Sequence, residues 1–485
     1  MDFYTKYFTL VILTLCVYQS RSQNVVFHGN NEEDIANSIV QYEDNFFIVG
    51  TTRKDHKRST NYYVLQLHSN GSLKKEFVFG NTHYDIGKDI IVDEDGIYVL
   101  GQTWDGGYGN NDMFLHKLNH EGDKKWSEFY GGPNNELGHK FIKTKDGGFS
   151  MAGHNRSLDD FGDAYLVKSN SEGEIIWESH FGERYVDHGF DVIENSNGEF
   201  LLIGTMGGFF VANCCDFQNP DADIFIVKTN SLGEKIWEKT YGGDGHDWAK
   251  EIIAAPNGGY FVCGSTQSEG AGSFDFFLLK IDENGNQLWF KTYGGTDFDY
   301  GESLGLNKEQ NLYILGSSAS FSDNFKPDHY LIKTNLEGEI IWTKTFGGEG
   351  SDYSSALICT SDSGCVFTGT TSNGSLGNKD IVFYKISKTG EALVVSAIPP
   401  INDSIEQISV YPNPVQNKFS VFIETKINTN FQINIYNATG QKVYQQQVAT
   451  NVRSWHQPKL NRGLYLYTIQ NKNKVVFNGK LVFTN

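Results

Sequence analysis

An acidic residue recurs once in each of seven segments of the chain, six residues after an aromatic residue. These acidic residues are Glu33, Asp85, Glu136, Asp187, Asp247, Asp299 and Asp352. Such carboxylates could bind calcium, or two of them could act as general acid and general base. A carboxylate at a fixed point of a turn can also accept backbone N–H bonds and fix the start of a strand. One such residue per segment favours this structural role. We therefore predict no metal-binding residues, and calcium is the only cofactor that the pattern leaves open.

The other titratable residues do not form a recurring catalytic group. In six segments an aspartate precedes a lysine by five residues, as Asp275 precedes Lys280, which is typical of a repeated structural contact. His139, and His246 beside Asp247, have no recurring base or nucleophile near them in sequence. We predict no catalytic residue and favour a protein that is not an enzyme.

Five cysteines follow the N-terminal segment, without a CxxC pair or a Cys/His cluster of zinc spacing. Cys359 and Cys365 flank a five-residue hairpin turn. They should therefore lie opposite each other across the hairpin, and we predict a disulfide between them. Cys214 and Cys215 could form a strained disulfide, remain two thiols or bind a soft metal, and the sequence does not decide among these.

Aromatic residues in the most variable part of each segment are the candidate binding residues, because their rings could stack on sugar rings. Ordinary packing within loops would explain them as well. The fourth segment carries about nine extra residues and three of these aromatics. The candidates are Trp104, Tyr108, Phe161, Phe209, Phe210, Phe217, Phe274, Phe321 and Phe325.

The segments that must position these residues are seven repeat units. Each unit opens with an aromatic residue followed by glycine, directly in six units and after His28 in the first. The opening residues are Phe27, Phe79, Tyr130, Phe181, Tyr241, Tyr293 and Phe346, spaced 51 to 60 residues apart. Each unit contains four apolar runs of strand length, separated by turns such as Asn-Gly that supply a positive φ.

Four antiparallel strands per unit are typical of a propeller blade, and the period of the units is similar to that of kelch repeats. Kelch blades end their second strand in two glycines, whereas these units have one. We predict an all-β fold with a seven-bladed β-propeller over residues 23–398, its strands named a to d from the axis outward. The outer strand of the last blade should come from residues 25–27 or from residues 391–398. Five repeated tryptophans are predicted to lie in the core between blades: Trp126, Trp177, Trp237, Trp289 and Trp342.

The repeat stops near residue 398, and after a linker over residues 399–407 the chain changes character. Residues 408–485 contain alternating strands, enough for a small Ig-like β-sandwich. They contain four motifs in order, whose residues include Tyr411, Pro412, Asn413, Pro414, Gly440, Gly463, Tyr465, Lys480, Leu481 and Val482. These motifs resemble the type A C-terminal sorting domain of the type IX secretion system of Bacteroidetes. The resemblance implies export across the outer membrane, removal of the domain and attachment to surface lipopolysaccharide.

The first 22 residues are predicted to be a signal peptide, with Lys6 before an apolar run and small residues at Ser20 and Ser22. No later segment is long and apolar enough to predict a transmembrane helix. A formal net charge of −19 argues against binding nucleic acid, which requires a basic face. We predict a protein that is secreted, or anchored at the outer cell surface, after transit through the periplasm.

Three functions are compatible with these features. The first is a non-catalytic surface protein that binds a glycan or a partner protein and is handled by the type IX secretion machinery. The second is a polysaccharide lyase or glycosidase with its site in the propeller funnel. The third is a structural or adhesive spacer. An enzyme predicts two carboxylates, or a His/Tyr pair, that converge in the funnel without being paired to neighbouring blades.

Overall fold

Every regular element in the described part of the chain is a β-strand, which confirms the all-β prediction. The computed structural model describes residues 25–29, 32–53, 59–80, 83–104, 107–157, 161–182, 186–207, 222–322, 324–372, 378–393, 405–411, 415–416, 418–425, 431–437, 441–471 and 474–484. The predicted signal peptide, residues 1–22, lies outside these ranges.

Seven four-stranded antiparallel sheets form the blades of a propeller, as predicted. Strand a is innermost in each blade. Its seven copies are Asp34–Tyr42, Asp85–Asp93, Glu136–Lys143, His188–Glu194, Asp247–Ala254, Asp299–Leu306 and Asp352–Cys359. Strand b follows at Asn45–Thr52, Gly96–Thr103, Phe149–Asn155, Phe200–Met206, Tyr260–Thr266, Leu312–Ser318 and Cys365–Thr371.

Strands c and d complete the blades toward the outer rim. Strand c spans Asn61–His68, Asp112–Leu118, Asp163–Ser169, Asp223–Thr229, Asp275–Ile281, Asp328–Thr334 and Asp380–Ile386. In the first six blades strand d spans Leu73–Phe79, Lys124–Tyr130, Ile175–Phe181, Lys235–Tyr241, Gln287–Tyr293 and Ile340–Phe346. Strands b and c are buried on both faces because apolar clusters pack between adjacent blades, and this explains their nearly continuous apolar runs.

The outer strand of the seventh blade comes from the N-terminal end of the propeller. Val26–His28 pairs antiparallel with Asp380–Ile386, so that Val26 faces Phe383. His28 Nε2 donates to the carbonyl oxygen of Gly71 in the first blade (2.9 Å), and Ser355 Oγ donates to Ala36 O (2.7 Å). The first of the two predicted alternatives for closing the ring is therefore confirmed.

The first unit differs from its predicted register by one residue. Its strand a begins at Asp34, which is buried, whereas the sequence pattern selected Glu33. The reason is His28, which adds a residue between the aromatic Phe27 and Gly29 and shifts the acidic position by one. Glu33 instead forms ion pairs with Arg53 (3.0 Å) and Lys379 (3.3 Å).

A β-bulge interrupts strand a at the same place in all seven blades, and it determines which residues face the axis. The extra residues are Asn37, Lys88, His139, Phe190, Lys250, Glu302 and Ser355. Glycine, alanine or serine precedes each of them, because strand a touches the neighbouring blade at that point. A Cβ on Gly301 would lie 2.3 Å from the carbonyl oxygen of Gly264, for example. Bulges redirect side chains in this way while the rest of the ladder stays paired.

The five repeated tryptophans lie between neighbouring blades, but at the outer rim and half-buried, so the prediction that they belong to the core was wrong. Each ring packs on the outer hairpin of the following blade. Trp177 donates its Nε1–H to Ser231 O (3.0 Å) and lies against Gly233, where a Cβ would be 2.6 Å from the indole ring. Strand d is outermost, and the indole rings are therefore at the edge of the clusters between blades.

The C-terminal residues form a sandwich of two sheets, as predicted. Its strands are Ile405–Tyr411, Phe419–Thr425, Phe431–Tyr436, Lys442–Val448, Ser454–His456, Gly463–Asn471 and Lys474–Phe483. The core between the sheets includes Phe419, Ile433, Ile469 and Leu481, and every buried member of this cluster comes from the sandwich itself. The sandwich therefore has its own hydrophobic core.

Cys359 and Cys365 lie directly opposite each other at the end of the a–b hairpin of the seventh blade, and both thiols are free in the structure. Thr360 N donates to Gly364 O in the next pair (3.0 Å), so the two cysteines occupy a non-hydrogen-bonded pair. Cα atoms at such sites are about 4.5 Å apart, within the range that a disulfide spans.

The disulfide thus stays a prediction for the exported protein. Mass spectrometry of protein alkylated before and after reduction should find Cys359 linked to Cys365 and Cys263 unlinked, because Cys263 is buried in another blade. Both Cys359 and Cys365 alkylated without reduction would contradict it.

Candidate functional site

The recurring acidic residues act as anchors for the turns that precede strand a. Asp299 Oδ2 accepts from Gly295 N (2.7 Å) and from Ser320 Oγ (2.7 Å). Asp247 Oδ2 accepts from Gly243 N (3.2 Å) and Ser268 Oγ (2.6 Å) in the same way. Both side chains are buried. These bonds support the structural role predicted for them, and the described residues contain no cluster of three or more His, Cys, Asp or Glu side chains suited to a metal ion.

A cavity of about 390 Å³ lies at the inner strands of the ring, and all seven bulge residues of strand a line it. The bulge residues differ in type from blade to blade: asparagine, two lysines, histidine, phenylalanine, glutamate and serine. The cavity also includes Tyr353, two residues before the bulge residue Ser355. The seven blades therefore contribute six different types of side chain to this cavity, which we call the channel.

Aromatic rings cluster beside the channel on the fifth and sixth blades. Trp248 stacks on Phe274 with ring centroids 4.8 Å apart and lies parallel to Tyr300, at 6.3 Å and 10°. Phe298 stacks on Tyr300 at 6.0 Å and is 47% exposed. We call Trp248, Phe274, Phe298 and Tyr300 the aromatic group. Trp248 and Tyr300 occupy the second position of strand a, the position that Tyr353 has in the next blade.

The charges that line the channel are mainly positive, with three lysines and one glutamate. Lys250 Nζ lies 3.3 Å from Glu302 and 5.0 Å from the ring centroid of Phe190. Lys379 pairs with Glu33 at 3.3 Å. Among the described residues Lys88 has no ion-pair partner, and burial, followed by the charge of Lys250, lowers the pKa of its ammonium.

A second polar layer closes the channel one residue further along strand a. Lys140 of the third blade forms an ion pair with Glu251 of the fifth blade, so its side chain reaches past the fourth. Glu251 Oε2 also accepts from Ser303 Oγ (2.7 Å) and Leu304 N (2.6 Å). Asp89 and Asp191 accept backbone N–H bonds from the blade that follows each of them (3.1 and 3.0 Å). These four charged side chains therefore fasten the blades to one another.

His139 and His188, two histidines near the channel, have pKa values well below that of an ordinary histidine, mainly because they are buried. His139 lines the cavity; its ring lies 5.8 Å from that of His188, which stacks on His154 at 4.2 Å. Burial and then the neighbouring His188 hold the pKa of His139 well below its usual value. A neutral imidazole can accept or donate a hydrogen bond there without adding a charge.

Asp191 predicts a pH-dependent term in the stability of the ring. Burial raises the pKa of Asp191 to about 7. The positive charge of Lys140 opposes this increase, and the negative charge of Glu251 adds to it. An aspartate in the unfolded chain has a pKa of about 4. Protonated Asp191 therefore contributes its full stabilisation below that pH. This stabilisation is lost as the pH rises through the pKa of Asp191 in the folded protein. Asp191→Asn stays neutral. Its free energy of unfolding relative to wild type should therefore rise between pH 4.5 and pH 8, measured by urea unfolding.

Asp282→Asn is the control for this effect, because hydrogen bonds from Asn286 and Asn284 lower the pKa of Asp282. The stabilisation from the Asp282 carboxylate is lost only as the pH falls below the usual carboxyl range. The free energy of unfolding of Asp282→Asn relative to wild type should therefore be the same at both pH values. A constant difference for Asp191→Asn as well would contradict the role of that residue.

The predicted loop aromatics that the structure describes lie on four blades, and their role in binding stays a prediction. Trp104 packs on Tyr84 (5.1 Å) and Phe321 on Tyr330 (4.7 Å), in the second and sixth blades. Tyr108, Phe161 and Phe325 are exposed in three separate blades. Phe274 alone joins the aromatic group. Other predicted residues lie outside the described ranges: Phe209, Phe210, Phe217, Cys214 and Cys215.

The sequence analysis missed Trp248, Tyr300, Tyr353 and the lysines of the channel. A signal for the three aromatics was present, since each directly follows the recurring acidic residue of its unit. His139 was noticed but was not assigned to the channel. No comparable signal marks Lys88.

Of the predicted sorting residues, Leu481 is fully buried and Val482 is exposed. Tyr411, Gly463 and Lys480 lie in strands, and Tyr465 packs edge-on against Phe483 (5.4 Å). Pro412, Asn413, Pro414 and Gly440 fall outside the described ranges. The role of these residues in sorting stays a prediction.

Residues 409–484 match the family described as "Secretion system C-terminal sorting domain". The C-terminal sandwich is thus a type IX sorting domain, and it indicates secretion with attachment to the outer surface or release. No curated protein matches the chain. The described residues include no helix with the length and hydropathy of a membrane span.

Several solved structures resemble the chain at low identity. A protein of unknown function from Bacteroides caccae is 12% identical, with a TM-score of 0.38 over 59% of this chain and 90% of that chain. Sqt1 from Chaetomium thermophilum is 11% identical, with a TM-score of 0.43 over 76% and 86%. A puromycin hydrolase mutant is 10% identical, with a TM-score of 0.47 over 80% and 58%.

Proposed function

We propose that this type IX-sorted, secreted propeller binds a glycan at its channel and does not act on it chemically. The observation that carries the proposal is Tyr353, a cavity-lining aromatic side chain that is 50% exposed, with hydrogen-bonding groups around it. Ligand sites typically combine such apolar faces with a few convergent polar groups. Sugars present both an apolar ring face and hydroxyl groups, and they fit this combination.

The polar groups of the channel support the binding of hydroxyl groups. The lining offers the ammonium groups of Lys88 and Lys250, the carboxylate of Glu302 and the amide of Asn37. The cavity volume of about 390 Å³ lies within the range of sites for small ligands. The aromatic group on the adjacent blades would extend the contact surface for a longer chain.

The pairing of the carboxylates supports binding over hydrolysis. A glycosidase of the common type needs two carboxylates that flank the scissile bond. Among the described residues that line the cavity, Glu302 is the one carboxylate, and it pairs with Lys250. In the layer beyond, Glu251 is paired with Lys140 and bonded to Ser303.

The test is calorimetric titration of the purified protein with a panel of oligosaccharides. Tyr353→Ala should weaken binding at least tenfold, because an exposed aromatic anchor in a cavity commonly contributes more than 1.4 kcal/mol. Trp104→Ala is the matched control, since Trp104 is equally exposed but lies on the second blade away from the aromatic group. Binding to no glycan in the panel would contradict the proposal and favour a spacer, and release of shortened products would favour the enzyme.

A further inference from the structure

We infer that the channel selects glycans that carry an anionic group, a carboxylate or a sulfate, and that Lys88 is the residue that recognises this group. The inference rests on the proposed function, because it names the class of glycan that the same channel binds. It starts from the difference between Lys88 and the other two lysines of the cavity.

Lys88 is the one lysine of the lining without an ion-pair partner among the described residues. The bulge in the second blade turns its side chain into the cavity, and the side chain is half-buried. Lys250 and Lys379 are each compensated, by Glu302 and by Glu33. A partly desolvated ammonium without a counter-ion is unfavourable, and an anion in the cavity would compensate it.

The carboxylates of the polar layer beyond Lys88 already have partners within the ring. Asp89, the next residue, accepts from Ser38 Oγ (2.7 Å) and Phe141 N (3.1 Å). Glu251 is paired with Lys140, and Asp191 accepts from Ile252 N (3.0 Å) and Val192 N (2.8 Å). These three carboxylates take their partners from the ring itself, whereas Lys88 faces the cavity.

The net charge of the described cavity lining is opposite in sign to the net charge of the whole chain. Three lysines and one glutamate line the cavity, whereas the protein has a formal net charge of −19. A charged recess of this kind concentrates ligands of the opposite charge. The overall charge would repel an anionic polymer from the rest of the surface, and it would therefore confine such a polymer to the channel.

The experiment compares three oligosaccharides of equal length: one neutral, one with uronate residues and one sulfated. Wild-type protein should bind at least one anionic oligosaccharide tenfold more tightly than the neutral one, and the preference should shrink at 0.5 M salt. Lys88→Gln should abolish the preference, so that the anionic and the neutral oligosaccharides bind with the same affinity. Lys308→Gln, which removes an exposed lysine in an a–b hairpin, should leave the preference unchanged. The uronate and sulfate arms identify which anion is recognised.

Lys88→Arg is the control for misfolding of Lys88→Gln. Arginine keeps the positive charge, so this variant should retain the preference for anionic oligosaccharides. Equal binding of all three sugars by wild type would overturn the inference and leave the proposed function standing. Inorganic sulfate and acetate provide the separate arm. If either raises the melting temperature of wild type but not of Lys88→Gln while no sugar binds, the anion site stands and the glycan function falls. No response to sugars or to simple anions would overturn both.

Discussion

Removal of residues 399–485 should abolish delivery to the outer surface and leave a folded propeller in the periplasm. The ring is closed by Val26–His28, and among the described residues the buried members of the clusters between blades all come from the propeller. The sandwich likewise has a core made only of its own residues. Immunolabelling of intact cells and cell fractionation should show complete loss of surface protein.

The reciprocal experiment fuses residues 399–485 behind a signal peptide and an unrelated folded protein, which should then appear at the surface. Surface labelling of the truncated chain would contradict the assignment of the sorting signal. A circular dichroism melt of the periplasmic protein is the control, because a lost melting transition would show that truncation had unfolded the propeller.

Single substitutions can separate the folding of the sorting domain from its recognition. Leu481 is fully buried, so Leu481→Ala should destabilise the sandwich by about 2–5 kcal/mol and reduce export indirectly. Val482 is 37% exposed and pairs with Leu464, which is 55% exposed. Substituting these two with serine should leave the sandwich folded. Loss of export with that variant would identify an exposed apolar strip as the recognised surface.

Substitution of Val26 by aspartate should open the ring. Val26 is 5% exposed and packs with Ala36, Ile381 and Phe383, in a cluster that joins the seventh blade to the first. An uncompensated charge at such a site costs about 3–5 kcal/mol. Urea unfolding should show this loss, and limited proteolysis should cut the last blade first.

Ile340→Asp is the matched control for Val26→Asp. It places the same charge on the outermost strand of the sixth blade, where Ile340 is 54% exposed. The free energy of unfolding should change by no more than about 0.5 kcal/mol. Equal unfolding curves for the two variants would mean that Val26–His28 does not close the ring.

The sequence predicted the constant parts of the propeller and missed the variable ones for one reason. Repeats are found by what recurs. The aspartates recur because they anchor the turns before strand a, and the glycines of strand b recur because a Cβ there would collide with a carbonyl oxygen of strand a. The bulge residues that line the channel are of six types in seven blades, so they leave no recurring pattern. A bulge also adds one residue to strand a, and a simple alternation of inward and outward side chains then assigns Lys88 to the wrong face.

Other errors came from contacts that only the closed ring defines. The tryptophans were expected in the core because of their type, but strand d has a neighbour on one side only. The loop aromatics were chosen by type as well, and their role in binding stays a prediction. The sorting domain was identified from the sequence because its motifs are local and need no tertiary context.

The closing strand imposes an order in time on the maturation of this chain. Val26–His28 leaves the ribosome and crosses a membrane first, whereas its partner Asp380–Ile386 follows only when six blades have passed. Until then Val26–His28 has no partner strand, and unwanted strands can add to such an unpaired edge. The sorting domain lies beyond that partner in sequence. The sorting domain is therefore synthesised only after every residue that is needed to close the ring. The order of synthesis thus delays recognition for export until the propeller can be complete.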